Sequence, residues 1–308
     1  MLDSLDAADT RYARMAELIR SHCSVPGFNE TPLDGLRLVY ADCHRPREPV
    51  YYEPGLVFVV QGHKTGYLDD RVIDYGPGHY LVQAMPVPFE CETRVSDASA
   101  LLGAAVRIDA DTLAELVAGL PAAEAAEAAN APRESLPMAA VQATPAIETA
   151  LARLLECLAD PAAARVLGPA RRREVIFEAL RGPQGHLLRQ LMSEQGAYGR
   201  IGRAITRLRA DFAAPLSVAD LAGVAHMSVS SFHAHFKRVT HLSPVQYQKR
   251  MRLLRARELL MARTGAVGYI AQTVGYHSAS QFSRDYKRYF GVAPAHEANA
   301  PERHAGVL

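Results

Sequence analysis

Two stretches of the chain carry the same set of side chains at a fixed offset. Ser228, Phe232, Phe236, Lys237, Arg238 and Pro244 recur as Ser278, Phe282, Tyr286, Lys287, Arg288 and Pro294. An offset kept simultaneously by aromatic, basic and helix-punctuating residues marks one small structural unit used twice. The polar residues of each copy are suited to nucleic-acid chemistry. Ser230, His233 and Ala234 in the first copy and Ser280, Gln281 and Arg284 in the second are small or hydrogen-bonding groups fit to read base edges. Lys237, Arg238, Lys287 and Arg288, with Lys249 and Arg250 between the copies, are cations fit to hold phosphates.

The elements that must position these groups follow from punctuation and periodicity. Ser217 with Asp220 has capping-box spacing, so a helix starts there and runs to about Val224. After a turn at Ala225–Met227, Ser228 caps a second helix whose apolar stripe is Phe232, Phe236 and Val239. The second copy has Ile270, Ala271 and Val274, then Gly275 in the turn, Ser278 to Gln281 as another capping box, and Phe282, Tyr286 and Tyr289 facing inward. Two helices joined by a tight turn, with the second presenting polar and basic residues, suit the major groove of double-stranded DNA. Between the copies, Ser243-Pro244 opens a long helix with proline at its first position. Tyr247, Met251 and Leu254 form one apolar row on it and Leu253, Ala256 and Leu260 another, so it can pack against both units and hold them rigidly.

Over roughly Ile201 to Pro294 the chain resembles the DNA-binding domain of the AraC/XylS family of bacterial transcription regulators. The matching motifs are Ser-Pro-x-x-Tyr at Ser243 to Tyr247, Arg-Leu-x-x-Ala-Arg at Arg252 to Arg257, Ile-Ala-x-x-Val-Gly-Tyr at Ile270 to Tyr276, Gln-Phe-Ser-Arg at Gln281 to Arg284, and Phe290-Gly291. The chain departs from the family pattern in two places. His226 stands in the first turn where glycine is usual, and the tyrosine-arginine pair usual after the last proline is missing beyond Pro294. Histidine tolerates positive φ better than branched residues do, so a left-handed turn at His226 costs only modest strain.

Charge divides the chain along the same line. Its formal net charge is only +1, yet residues 200–291 hold 15 Lys+Arg against 4 Asp+Glu, whereas residues 1–199 hold 18 against 27. A neutral average thus conceals a basic module joined to an acidic one, and the cations follow the repeat. With 308 residues, 49% hydrophobic and 22% charged, the composition is that of an ordinary two-domain globular chain. No stretch reaches the length of a membrane span, and the opening Met-Leu-Asp-Ser-Leu-Asp lacks the basic and apolar regions of a secretion signal, so a cytoplasmic protein is expected. Cys23, Cys43, Cys91 and Cys157 are scattered, without the pairing of a zinc site or a disulfide framework.

The acidic part changes texture along its length. Residues 6–20 carry Tyr12, Met15 and Ile19 at helical spacing. From Leu33 to Ile108, short β-rich runs at 36–40, 56–60, 66–68, 71–73, 79–82 and 101–108 alternate with turn chemistry such as Gly76-Pro-Gly78, the pattern of a small barrel or sandwich. The runs Tyr52 to Lys64 and Tyr75 to Val82 resemble the cupin-like N-terminal domain of one branch of the same family, which implies effector sensing and dimerisation. Candidate effector contacts are Tyr40, His44, His63, His79 and Tyr80. Residues 121–143, rich in alanine and proline, read as a loop or weak helix. Ile147, Leu151, Leu154, Leu155 and Leu158 then form an apolar helical stripe that can close on the barrel or on a second subunit. Amphipathic helix continues over 171–191, broken at Gly182-Pro183, and residues 196–202 read as a hinge.

These readings give an α+β protein. Residues 1–195 form a cupin-like sensing and dimerising domain, with the barrel at about 30–108 and helices at about 109–195. Residues 200–298 form an all-α domain of two helix-turn-helix units at about 217–240 and 267–290. The expected function is a sequence-specific DNA-binding transcription regulator, not an enzyme, needing no cofactor. It is controlled by a small-molecule effector, acts as a homodimer and has RNA polymerase as a further partner. Two alternatives differ in class. A cupin-type metalloenzyme fused to a DNA-targeting domain needs histidines converging on one metal, but no His-x-His falls between residues 30 and 110. The pair His233 and His235 points apart on its helix, so no metal site is expected. The other alternative is an effector-independent DNA-binding protein.

Overall fold

The protein is described from a computed structural model that covers residues 2–95, 99–121, 136–191 and 196–299. Among the described residues ten strands form two antiparallel sheets. The larger has the order β1 (Gly27–Glu30), β2 (Leu36–Ala41), β9 (Leu101–Arg107), β4 (Gly55–Gln61), β7 (His79–Gln83) and β10 (Met138–Gln142). The smaller has the order β3 (Arg45–Tyr51), β8 (Pro88–Arg94), β5 (His63–Leu68) and β6 (Arg71–Tyr75).

Alternation along the strands builds three layers. In β4, Leu56, Phe58 and Val60 face a core shared with the helices, while Val57 and Val59 face the smaller sheet. A strand buried on both faces must be apolar throughout, which explains the unbroken run Leu56 to Val60. The helices over the outer face include α1 (Leu2–His22), α2 (Ala110–Ala118), α3 (Pro145–Glu156), α5 (Gly168–Arg181) and α6 (Gly185–Leu191), with the short α4 (Pro161–Val166) between α3 and α5.

Four expectations are corrected here. Strand pairing among the described residues does not join the two sheets, so the domain is an open sandwich and not a closed barrel. Pro46 and Pro49 lie in edge strand β3, where proline, lacking an amide, leaves fewer donors for pairing with a further strand. β10 also falls within a segment expected to be loop or weak helix, of which residues 122–135 lie outside the described residues. The stripe Ile147, Leu151, Leu154, Leu155 and Leu158, which could close on the barrel or on a second subunit, closes on the chain's own core. All five side chains are buried inside one chain, packed with α1, α5 and the outer sheet face, and a second subunit cannot reach them without opening that core. Finally, residues 197–202 are not an irregular hinge, because they open α7 (Ala197–Ala210) and Ile201 is fully buried.

The C-terminal part contains α8 (Val218–Val224), α9 (Val229–Thr240), α10 (Pro244–Met261), α11 (Val267–Thr273), α12 (Ala279–Phe290) and α13 (Pro294–Asn299). The first unit's Phe232, Phe236 and Tyr247 share one continuous apolar core with Met85, Val87 and the inner faces of both sheets. Leu253, Ala256 and Leu260, lower on α10, pack with Ile270, Phe282 and Tyr286 of the second unit. The long helix is therefore apolar on two sides, as its two rows predict.

Candidate nucleic-acid interface

The helix starts that aim the expected recognition residues each carry a serine cap, but the boxes expected at Ser217 and Ser278 are one-way caps, and the reciprocal box forms at Ser243. The Ser228 hydroxyl accepts from the Ser231 amide at 3.3 Å at the head of α9, and Ser278 accepts from the Gln281 amide at 3.2 Å at the head of α12. On α10, Ser243 and Gln246 form a reciprocal capping box behind Pro244. Phe232 and Phe236 are buried on α9, as are Phe282 and Tyr286 on α12. This turns Ser230, His233, Ala234, Lys237 and Arg238 outward on one helix, and Ser280, Gln281, Arg284, Lys287 and Arg288 on the other; all ten are exposed. The acidic domain covers neither reading face.

The turns are equally determined. His226 has φ of 50° and Gly275 has φ of 86°, so each turn is left-handed two residues past the end of its unit's first helix. A Cβ at Gly275 would collide with the Ala213 carbonyl oxygen, so that turn needs glycine for closeness as well as for conformation. At His226, where histidine replaces the family's usual glycine, Arg200 donates to the backbone carbonyl at 3.3 Å.

Within the basic face the cations differ in their freedom. Lys237, Arg238 and Lys287 project from the last turns of α9 and α12 and are exposed. Lys249 meets the buried Asp285 carboxylate at 2.8 Å, and Arg288 pairs with the same carboxylate. Burial opposes ionisation of Asp285, but Lys249, Gln281 and Arg288 outweigh it and hold the carboxyl below its usual range. Arg250 lies over the Tyr289 ring at 5.7 Å. Of the six residues expected on phosphates, Lys249, Arg250 and Arg288 thus also do structural service. Arg284 donates to Gln281 Oε1 at 2.8 Å, so the two expected base-reading side chains are pre-oriented together.

Two arginines of the Arg-Leu-x-x-Ala-Arg motif have roles that sequence reasoning missed. Arg252 donates to the carbonyls of Phe212, Ala213, Ala214 and Gly275 at 2.8 to 3.0 Å, tying the end of α7 to the turn of the second unit. Burial lowers its pKa. Arg257 reaches Glu48 on β3 at 2.8 Å and Glu297 on α13 at 3.0 Å, with its guanidinium over the Phe290 ring. Their basic composition hid them among the presumed solvent-facing cations; the signal was their position on the side of α10 between the two apolar rows.

The five effector candidates are not brought together. Tyr40 lies under the Arg20 guanidinium, and Tyr80 stacks on Phe58 in the core beneath the helices. His44 is 3.9 Å from Glu92, His63 is 3.8 Å from Asp74, and His79 is exposed at the start of β7. Among the described residues no group of three or more His, Cys, Asp or Glu side chains could hold a metal ion. No described helix is long and apolar enough to cross a membrane.

Comparison with known proteins locates the same two parts. Residues 32–187 match the family described as AraC-type transcriptional regulator N-terminus, and residues 221–299 match a helix-turn-helix domain. The chain is 28% identical over 123 residues to the HTH-type transcriptional regulator GbdR of Pseudomonas aeruginosa, covering 40% of this chain and 34% of that protein. It is 31% identical over 104 residues to the HTH-type transcriptional activator RhaS of Escherichia fergusonii, covering 34% and 37%. The match spans about a third of the length of these relatives. In fold it is similar to ToxT from Vibrio cholerae, with a TM-score of 0.59 over 87% of this chain and 98% of that one, at 10% identity.

Proposed function

Because the chain belongs to the AraC-type transcriptional regulator family, we propose that it binds double-stranded DNA sequence-specifically and regulates transcription through its two helix-turn-helix units. The observation that carries this reading is the fixed relation of two exposed recognition faces. α9 and α12 are each packed on α10, one through Phe236 and Tyr247, the other through Leu253, Ala256 and Leu260. Helices held in this way can enter successive major-groove segments on one side of a duplex, so one chain reads two motifs.

The N-terminal domain is proposed to sense a small molecule and report it to the DNA-binding part. A ToxT structure of similar fold was solved with an unsaturated fatty acid bound, which supports a small-molecule effector for a chain of this fold. The core running without a break from the sandwich to Tyr247 supports a route for the signal. Homodimerisation, a cupin-like ancestry of the sandwich, contact with RNA polymerase and a cytoplasmic location belong to the same proposal; enzymatic activity does not.

The test is selection of binding sites from randomised duplexes by the full chain, followed by gel shifts across a salt series. A defined motif with two separated blocks, and affinity falling steeply with salt, is the expected result. Failure to enrich any sequence would overturn the reading.

A further inference from the structure

The interior of the sandwich holds a cation that the sequence reading passed over. Lys64, on β5, is buried, and its ammonium donates to the Tyr52 hydroxyl at 3.0 Å. Among the described residues it has no carboxylate partner. Its cross-strand partners are Tyr75 on β6 and Thr93 on β8, both buried, and Thr93 in turn pairs with Arg45 on β3. One row across the smaller sheet therefore runs Tyr75, Lys64, Thr93, Arg45. The Tyr75 hydroxyl lies beside Tyr52 and Cys91 without a hydrogen bond of normal geometry to either. Burial works against the Lys64 ammonium and so does Arg45; Tyr52 and Cys91 lift it above the ordinary lysine value only where they have given up their protons. Tyr52 is pushed up to about 12 by burial and is neutral at physiological pH.

A buried ammonium that meets only a neutral phenol, with a second cation in electrostatic range, is costly unless an anion completes the set. The unpaired hydroxyl of its cross-strand partner Tyr75, beside the same Tyr52, adds a second unsatisfied donor. The surroundings are apolar and partly adaptable. Phe89 meets the Tyr52 ring edge-on at 5.0 Å. A Cβ at Gly66 would touch Met138 Cε at 3.4 Å and Phe89 at 3.5 Å. Methionine is unbranched and can move to admit a compact apolar group.

We propose that this row is the effector site, and that it takes the carboxylate of a small apolar monocarboxylic acid on the Lys64 ammonium and the Tyr75 hydroxyl. The proposal rests on the sensing role proposed above and names its ligand class. It also supplies a connection to the DNA-binding part. Tyr52 faces the interior, and Tyr51, its neighbour in the chain, lies under the Arg209 guanidinium of α7 at 5.4 Å and beside Tyr247 of α10. Tyr247 in turn donates to the Pro86 carbonyl at 2.5 Å. A shift of Tyr52 on binding is thus one residue away from the contact between the two parts.

The experiment measures thermal unfolding of the full chain with hexanoate or 3-phenylpropanoate against neutral hexanamide, and gel shifts on the selected duplex in parallel. At least one acid should raise the melting temperature in a concentration-dependent manner, and the amide should not. Lys64→Met should weaken acid binding by at least about tenfold, as for loss of a charge-assisted hydrogen bond, and should leave the unliganded protein at least as stable as wild type. Tyr75→Phe, which keeps the ring, should weaken acid binding with little change in stability, so the proposal stays testable if Lys64→Met fails to fold. It is overturned if neither acid stabilises the chain, if the amide acts equally, or if Tyr75→Phe and Lys64→Met bind acid as wild type does. Intact DNA binding alongside any of those results would sink the effector site and leave the DNA-binding reading standing; loss of DNA binding by wild type would remove that reading instead.

Discussion

Arg257 and Glu48, 209 residues apart in the chain, meet at 2.8 Å and join the helix that carries both recognition units to an edge strand of the sandwich. The same guanidinium reaches Glu297, so one side chain fixes α10 against β3 and α13 together. Arg209 with Glu53 makes a second ion pair between the two parts, and His241 with Asp69, at 3.0 Å, a third contact. These polar contacts ring the apolar seam around Tyr247, where burial supplies the attraction and the ion pairs fix orientation.

Arg257→Met is expected to cost more than Glu48→Gln, because it orphans two carboxylates rather than removing one. A double-mutant cycle on Arg257 and Glu48, read by chemical denaturation of the full chain, should give a coupling of about 1 kcal/mol, between the values for exposed and buried pairs. A coupling near zero would mean that the pair follows from the docking and contributes nothing to it.

The two left-handed turns should respond oppositely to substitution. Gly275→Ala places a methyl against the Ala213 carbonyl and forces positive φ on a residue with a side chain, so a loss of about 3 kcal/mol is expected, with DNA affinity falling accordingly. His226→Gly removes a strained residue at φ of 50° and should stabilise by about 0.5 kcal/mol, the relief being offset in part by unfolded-chain entropy. Equal destabilisation by both changes would contradict this account of the turns.

The C-terminal fold was legible from the sequence because each signal there is local. Caps at Ser217, Ser228, Ser243 and Ser278, apolar stripes at helical spacing and a left-handed residue at His226 all act within a turn or two of the chain. The sandwich was legible only in its apolar strands. β3, with Pro46 and Pro49, and β8, with Glu90 and Glu92, alternate too imperfectly to announce themselves, and their pairing is set by partners far along the chain. The same limit hid Lys64. On a strand of the type His63-Lys-Thr-Gly a lysine reads as solvent-facing, and only the second sheet buries it. The stripe at Leu151 posed the reverse problem: its apolarity is plain in the sequence, but nothing local tells whether the same chain or another covers it.

Because that stripe is internal, Leu151→Asp with Leu155→Asp should not yield a folded monomer. Two carboxylates placed among α1, α5 and the outer sheet face should cost well over about 4 kcal/mol, and cooperative unfolding should be lost. A soluble, cooperatively folding variant with altered sedimentation would restore the dimer-face interpretation.

Acid should loosen the second recognition unit through Asp285. Its folded-state pKa lies below the ordinary carboxylate value, so its contribution is present above the unfolded value near 4 and is lost as pH falls through the folded value. Asp285→Asn should remove this part of the acid dependence, leaving a flatter stability profile below about pH 4 and a less stable protein at neutral pH. An unchanged profile in the variant would show that Lys249 and Arg288 do not depend on this carboxylate.

The recognition helix α12 offers the sharpest division between reading and holding. If Arg284, pre-oriented by Gln281, makes the two hydrogen bonds to a guanine edge expected of it, Arg284→Ala should cost about 1 to 3 kcal/mol on the selected site and relax preference at one position. Lys287→Ala should weaken binding about equally on all duplexes and lower the salt slope by about one unit, as for a lost phosphate contact. Arg288→Ala should lower it by less, because in the free protein that guanidinium is already paired with Asp285 and releases fewer counterions on meeting a phosphate. Site selections and salt titrations on the three variants decide between these roles. If all three shifted affinity by the same small amount, with preference unchanged, the face would be solvated charge, and base reading would have to be sought on α9.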